Sequence, residues 1–344
     1  MSDLNSATNQ LFSRREAMRP TLRTWLKHSL LLLLTVCTAT IAGVIEPFGA
    51  IRVFPDVNPQ SGAEILQLLL SLPFLYLQII AGIIQTLAAH PAHLIYGLKF
   101  SVSLLTILTA HEAGHYVTCR LYGVDATLPY FIPTPPLIGP AGTLGAFIKI
   151  LSPLPSRRAT FDIGVAGPIA GFLMLIPVAV LGFLTMHNIA LPAGANLSDG
   201  GIYFSDPLLL KLLAPLFGIN LSLPVAPNPF YMAAWLGLLI TSLNLIPSGQ
   251  LDGGHAIYAI FGERIHKWTG YAAFAIMGTI SVLGWFLYNS PSGLLFTILL
   301  AVMMRIKHPE PSDDTPLDYK RLLVAVLVLI IFALCFVPFP IQIT

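Results

Sequence analysis

Two histidines and a glutamate stand close together at residues 111–115, at the end of a long apolar run. His111 and His115 are four residues apart, so on a helix they project from one face a turn apart, where both imidazoles can bind one zinc ion. Glu112 lies on a neighbouring line of that helix, and its carboxylate can take a proton from a water that the metal activates. This H-E-x-x-H pattern therefore predicts a metal-dependent hydrolytic site.

The position of this motif adds to the prediction. The run from about residue 94 to 110 is as apolar as a membrane span. A charged residue such as Glu112, between two histidines, is costly in such a segment and is expected there only if its charge has a function. We therefore expect a hydrolytic zinc site at membrane depth.

A second group of polar residues follows the apolar run that begins at residue 230. Two histidines leave zinc short of its usual three protein ligands, and Asp252 is the best candidate for the third. We expect Asp252 at the same cytosolic edge of the membrane as His111 and His115. Gly253 and Gly254, which follow it, allow a close approach of backbone or substrate. The alternative for Asp252 is a helix N-cap after a proline break. His255, three residues later, could orient Asp252 through a hydrogen bond.

Asn244 lies in the same stretch, eight residues before Asp252, inside an apolar run where an amide needs a partner. One interpretation is that it holds the oxyanion formed when water attacks a peptide carbonyl. The other is that it bonds a backbone carbonyl exposed beside Pro247, and the spacing alone slightly favours this structural role.

Between the two groups lies a loop rich in proline and glycine, residues 128–155. The prolines exclude a helix, and Leu144 to Leu151 is predicted as a short strand or one arm of a hairpin. Such irregular backbone persists at a membrane site where it lines a water-filled cavity, and its edge could pair with a substrate strand. A plain surface loop is the alternative. The residues expected to contact the substrate are Gly142, Thr143, Leu144, Gly145 and Ala146.

The composition places these motifs in a membrane protein. The chain is 55% hydrophobic and 10% charged, whereas soluble domains carry about 25% charged residues. We expect an all-α polytopic protein with about seven or eight apolar segments and a short β-hairpin or strand near the active site. A net charge of +2 without a basic stripe gives no sign of nucleic-acid binding. The apolar segments fall at about 29–45, 65–89, 94–117, 161–186, 230–247, 268–288, 293–306 and 322–338.

Basic residues cluster in three loops, which the positive-inside rule places in the cytosol. They are Arg120, Lys149, Arg157 and Arg158 after the histidine motif, Arg264 and Lys267 before residue 268, and Arg305, Lys307, Lys320 and Arg321 around the loop of residues 306–321. The first 27 residues are also basic. Three apolar runs lie between that tail and the first basic loop, so one of them must not cross if both ends are cytosolic. The 65–89 run, which contains Pro73, is our candidate for a re-entrant or surface element.

The two motifs together resemble the site-2 proteases, a family of intramembrane zinc metalloproteases. The residues that carry the resemblance are H-E-A-G-H-Y at 111–116 and N-L-I-P-S-G-Q-L-D-G-G-H at 244–255. The glycine-rich segments at 139–146 and 161–171 resemble the subgroup of plastid gravitropism-deficient, yellow-green proteins and their bacterial relatives. The resemblance implies a catalytic core of three spans, zinc on His111, His115 and Asp252, Glu112 as general base, and Asn244 near the substrate carbonyl.

The same resemblance implies transmembrane proteins as substrates, in regulated intramembrane proteolysis. Family members often carry a PDZ domain, for which the loops of this chain leave no room. We expect a basic cytosolic tail at 1–27, N-terminal apolar segments at 28–93, a catalytic core at 94–267 and C-terminal spans at 268–344. We expect the protein in a bacterial plasma membrane, with its site near the cytosolic side. The sequence does not predict its oligomeric state.

Two other functions remain open at this point. A zinc or ion transporter would use intramembrane His and Asp as a transit site, but it needs polar residues across the whole membrane. A catalytically inactive relative would only bind membrane proteins, and the intact Glu112 speaks against it.

Overall fold

The computed structural model of the chain describes residues 19–53, 61–189, 202–226, 228–306 and 308–343, most of which are helical. The helices are α1 (Leu22–Val44), α2 (Gly62–Ala89), α3 (Pro91–Leu121), α4 (Arg157–Thr185), α5 (Leu208–Leu213), α6 (Pro229–Asn244), α7 (Asp252–Phe261), α8 (Glu263–Tyr288), α9 (Ser292–Met303) and α10 (Tyr319–Cys335). The strands form two antiparallel pairs, β1 (Tyr130–Pro133) with β2 (Thr143–Phe147) and β3 (Ile202–Phe204) with β4 (Ile341–Ile343).

Five helices in the described part of the chain are long and apolar enough to cross a membrane, namely α1, α2, α3, α4 and α8. The expected count of about seven or eight apolar segments is therefore not confirmed, because the segments at α6, α9 and α10 are helices of 16, 12 and 17 residues. The 65–89 run, expected to re-enter or lie on the surface, is one continuous helix of 28 residues with Pro73 inside it.

The centre of the molecule is formed by α3, α4 and α6. Their most deeply buried side chains are large and apolar, and they include Phe100, Leu104, Phe161, Leu175, Trp235 and Leu238. A helix that is apolar on all sides has no polar face for water to contact, so these helices pack against one another and against lipid. Side chains at two helix starts fix where the elements begin. Ser156 caps α4 through the amide of Ala159, and Asn228 caps α6 ahead of Pro229.

Glycines let α3 and α4 approach closely beside the two histidines. A Cβ on Gly114 of α3 would lie 2.4 Å from the carbonyl oxygen of Ala166 in α4. On α4, a Cβ on Gly167 would lie 2.1 Å from Nε2 of His115, and one on Gly171 would lie 3.1 Å from Cβ of His111. Real Cβ atoms do not approach as closely as the first two distances, and the third is tighter than most contacts, so these glycines leave the space that the imidazoles fill.

The β1–β2 hairpin is held by the first helix. Nδ1 of His28 in α1 lies 2.8 Å from the carbonyl oxygen of Pro129, and the His28 ring packs on Tyr130. Further along α1, the hydroxyl of Thr38 donates to the carbonyl oxygen of Gly142 at 2.7 Å. Helix α1 therefore fixes the hairpin that we expected near the active site.

The C-terminal part of the chain is tied to the ends of α3 and α4. Arg321, at the start of α10, donates to Asp162 of α4 at 2.6 Å and to the hydroxyl of Tyr122, which follows α3, at 3.1 Å. In the loop before α10, the amide of Ser312 donates to the carbonyl oxygen of Leu154 at 3.0 Å. The loop between α9 and α10 is thus held beside the end of α3 that carries the histidines.

Replacing Gly167 by Ala tests the glycine contact. The added methyl group would occupy the space of the His115 ring, so the ring or α4 must move. We expect metal affinity to fall by at least about tenfold, as when a neighbour that orients a metal ligand is removed. The measurement is a zinc titration of the purified protein in detergent. Gly278→Ala is the control, because its added Cβ would have Thr297 Cγ2 as a neighbour at 3.9 Å. Equal affinity in G167A and G278A would contradict this role of Gly167.

Candidate metal centre

The loop between α6 and α7 brings the second polar group of the sequence against the first. Helix α6 ends at Asn244, and α7 begins at Asp252. A Cβ on Gly253 would lie 2.1 Å from a carbonyl oxygen of this loop, and one on Gly254 would lie 2.4 Å from another. The two glycines let the first turn of α7 fold back tightly onto the loop, which places the carboxylate of Asp252 at the end of α6.

Three potential ligands converge at this place. Nε2 of His111 lies 3.2 Å from Oδ2 of Asp252, and Nε2 of His115 lies 3.3 Å from Oδ1. The two Nε2 atoms are 3.1 Å apart. Both histidines are buried, with 4% and 7% of their surface exposed. Together with Asp252 they form a cluster that could hold a metal ion, within the part of the chain that the structure describes.

The distances fit a small tetrahedral ion. Ligand atoms bound at about 2.0–2.1 Å around such a centre are about 3.3–3.4 Å apart. The two histidine nitrogens are 3.1 Å apart, and each lies 3.2–3.3 Å from a different carboxylate oxygen of Asp252, so these separations are close to that value. Nδ1 of His115 donates to the carbonyl oxygen of Ile163 at 2.6 Å, because a carbonyl can only accept. That bond leaves the Nε2 lone pair of His115 available to a metal.

Glu112 and Asn244 lie beside these three residues. Glu112 is 5% exposed, and its carboxylate accepts a hydrogen bond from the backbone amide of Ile148. The side-chain nitrogen of Asn244 lies 3.3 Å from Nε2 of His111. A carboxylate and an amide therefore face the place where the three ligand atoms meet.

A cavity of about 600 Å³ opens over the centre. Residues from both polar groups line it, and its other walls come from the end of β2 and the chain after it, from α4 and from the loop before α10. The lining residues outside the two polar groups are Ala146, Phe147, Ile148, Lys149, Ile150, Ser152, Pro153, Leu154, Ile163, Gly164 and Pro309. The cavity is large enough to admit a short extended peptide segment.

The expected strand is shorter than predicted and differs in its contact with the cavity. It covers Thr143–Phe147, because the chain leaves the pairing with β1 after Phe147. Of the five residues expected to contact a substrate, Ala146 lines the cavity. Leu144 is not among the lining residues, and it is 63% exposed. The carbonyl of Gly142 is bound by Thr38, and the hydroxyl of Thr143 donates to the carbonyl of Ile132. For Gly145, the φ of +96° accounts for the glycine, because side chains rarely adopt it.

His255 has a partner that the sequence did not indicate. It lines the cavity, and its Nδ1 lies 2.7 Å from Nε2 of His308, 53 residues further along the chain. The expected role of His255 in orienting Asp252 stays a prediction, since this contact involves only Nδ1 of the ring. Sequence reasoning gave His308 no role in the site, since no motif surrounds it.

Comparison with known proteins agrees with this arrangement. The sequence model of the family described as Peptidase family M50 matches residues 99–285. A rice protein named probable zinc metalloprotease EGY1, chloroplastic, is 31% identical over 79% of this chain and 44% of its own length. The Arabidopsis thaliana protein of the same name is 29% identical over 70% of this chain and 43% of its own length. Rice EGY2, also named a probable chloroplastic zinc metalloprotease, is 26% identical over 72% and 43%.

The chain spans less than half the length of these curated relatives. Their names place them in chloroplasts, which gives no support to the bacterial plasma membrane expected from the sequence. The family match covers more than half of the chain and includes both polar motifs, which confirms the resemblance to the site-2 proteases. This chain belongs to peptidase family M50.

Proposed function

We propose that this protein is an intramembrane zinc metalloprotease that hydrolyses peptide bonds within or near the transmembrane helices of other membrane proteins. The observation that carries the proposal is the convergence of His111, His115 and Asp252 beside Glu112, at the end of an apolar helix and under a cavity. Membership of peptidase family M50 and the zinc metalloprotease names of its relatives support it.

The two histidines and Asp252 would hold the zinc ion through two nitrogen atoms and one carboxylate oxygen. When bound there, zinc would polarise the scissile carbonyl and make water a stronger nucleophile. Ile163 would keep the ring of His115 in the orientation and protonation that ligation needs.

Glu112 would be the general base. Its buried carboxylate takes a proton from the attacking water and passes it to the nitrogen of the leaving amine as the peptide bond breaks. The backbone amide of Ile148 holds the carboxylate in place. The side-chain amide of Asn244 would donate to the substrate carbonyl oxygen, whose negative charge grows during attack.

The substrate would be bound as an extended strand. In a helix, the peptide groups are shielded by their own hydrogen bonds, so the substrate must unwind before attack. The chain from Ala146 to Ile150 lies along the cavity beside Glu112 and offers backbone groups to such a strand. Leu144, which is exposed, lies before this segment and would guide the strand towards it.

The surroundings of the site fit a bilayer. Five apolar helices long enough to span are consistent with a multi-pass membrane protein acting on membrane proteins. The predicted division into a tail, N-terminal segments, core 94–267 and C-terminal segments is kept as part of the proposal. Among the described polar residues, the candidate ligands meet at one point instead of following a path through the membrane, so the geometry does not favour a transporter.

Replacing Glu112 by Gln tests the catalytic base. Gln keeps the shape and the hydrogen bond to Ile148 but cannot accept the proton, so cleavage should fall by at least about 100-fold while zinc stays bound. The measurement is cleavage of a tagged single-span membrane protein by purified enzyme, with metal content determined on the same samples. Glu263→Gln is the matched control, because that side chain is partly exposed and pairs with Lys267. Full activity of E112Q would refute the assignment.

Replacing Asp252 by Asn tests the third ligand separately from the base. The amide fills the same volume but loses the negative charge that would hold the ion, so zinc affinity should fall on the order of 100-fold. Competition with a coloured zinc chelator gives the affinity without any substrate. The exposed Asp314→Asn is the control. A D252N protein that binds zinc as tightly as the wild type would remove Asp252 from the ligand set.

A further inference from the structure

Two histidine rings outside the candidate ligand set are joined on one wall of the catalytic cavity. His255 comes from α7, and His308 comes from the loop before α10, beyond the residues matched by the family. Nδ1 of His255 and Nε2 of His308 are 2.7 Å apart. The ring of His308 also stacks on Tyr258, with centroids 4.1 Å apart and planes at 9°. His308 is 6% exposed, so both its position and its ring plane are fixed.

The hydrogen bonds determine which nitrogen atoms carry protons. Nδ1 of His308 lies 2.8 Å from the carbonyl oxygen of Pro309, and a carbonyl can only accept, so this nitrogen carries a proton. Burial lowers the pKa of His308 to about 3, so its ring is neutral near pH 7 and its Nε2 has no proton. Nε2 of His308 must therefore accept, and Nδ1 of His255 must donate.

This arrangement leaves His255 in one tautomer. With its proton on Nδ1, the other nitrogen, Nε2, has a free lone pair and can only accept a hydrogen bond. The side chain lines the cavity that also contains Glu112. Its Cβ lies against Gly164 of α4, where an added methyl group would come within 2.8 Å. The wall of the cavity thus contains a histidine whose second ring nitrogen can only accept.

An extended substrate needs such an acceptor. A strand that pairs with one neighbour along one edge directs every second pair of its backbone groups to the other side. If the substrate pairs with the chain at Ala146–Ile150, its remaining N–H groups face the other walls of the cavity. An N–H left there without a partner costs free energy. The wall that contains His255 belongs to α7, not to the hairpin.

We propose that Nε2 of His255 accepts a hydrogen bond from a backbone N–H of the substrate strand, and that His308 is the positioning residue that holds His255 in the accepting tautomer. The inference rests on the proposed protease function and deepens it by naming a substrate-binding contact. It gives the loop before α10 a role in substrate binding.

Two substitutions of His308 separate this role from simple packing. Phe keeps an aromatic ring on Tyr258 but offers no acceptor to His255, whereas Gln loses the ring but can place an amide oxygen near the position of Nε2. We expect H308F to raise KM for the single-span substrate about tenfold with kcat little changed, because the lost contact serves binding. H308Q should restore KM to within about threefold of the wild type. The exposed His187→Phe is the control. If H308F behaves as the wild type or outperforms H308Q, His308 only packs and the proposal is overturned.

A second measurement does not depend on cleavage. Nitrogen-15 NMR of histidine-labelled, zinc-free protein distinguishes the Nδ1-protonated from the Nε2-protonated ring. The signal lost in His255→Gln should be that of an Nδ1-protonated ring, and in H308F it should move away from that tautomer. An Nε2-protonated His255 in the wild type overturns the proposal even if the enzyme is active. If the wild type does not cleave while E112Q is equally inactive, the protease function fails first, and the contact to a substrate fails with it.

Discussion

The structure depends on bringing three electronegative atoms together in a buried place. Two imidazole nitrogens on α3 and a carboxylate on α7 lie within hydrogen-bond distance of one another, among helices that are otherwise apolar. Burying a carboxylate away from water costs free energy unless a positive partner compensates it. A divalent cation at the centre would supply that compensation. The packing around it serves to keep the three atoms at that distance.

Close helix packing provides this constraint. Glycines on α4 admit the imidazole rings of α3, and glycines at the start of α7 fold Asp252 back over the end of α6. Outside this core, α1 holds the hairpin, and Arg321 and the loop before α10 close the other side. The residues that would carry out chemistry are few. Most of the other residues hold these side chains in one arrangement and leave a cavity in which a strand can lie beside Glu112.

The sequence predicted the parts of the site that follow from local spacing. The i,i+4 histidines had to share a helix face, and the search for a third candidate ligand led to Asp252, which the fold places 3.2–3.3 Å from both Nε2 atoms. Elements set by tertiary contacts were not predictable. The strand ends at Phe147 because pairing with β1 ends there, and the 65–89 segment is a single helix despite Pro73. His308 has no local motif, since its partner His255 is 53 residues away. The expected number of apolar segments is not confirmed as a number of spans, because hydropathy does not distinguish a buried core helix such as α6 from a lipid-facing one.

The most direct test of the account is the position of the metal itself. An anomalous difference map collected at the zinc absorption edge from crystals of the wild-type protein locates the ion without reference to activity. The account predicts one peak within about 2.0–2.2 Å of both Nε2 atoms of His111 and His115 and of a carboxylate oxygen of Asp252. A peak bound by the histidines with Asp252 out of reach, or a peak elsewhere in the chain, would contradict it.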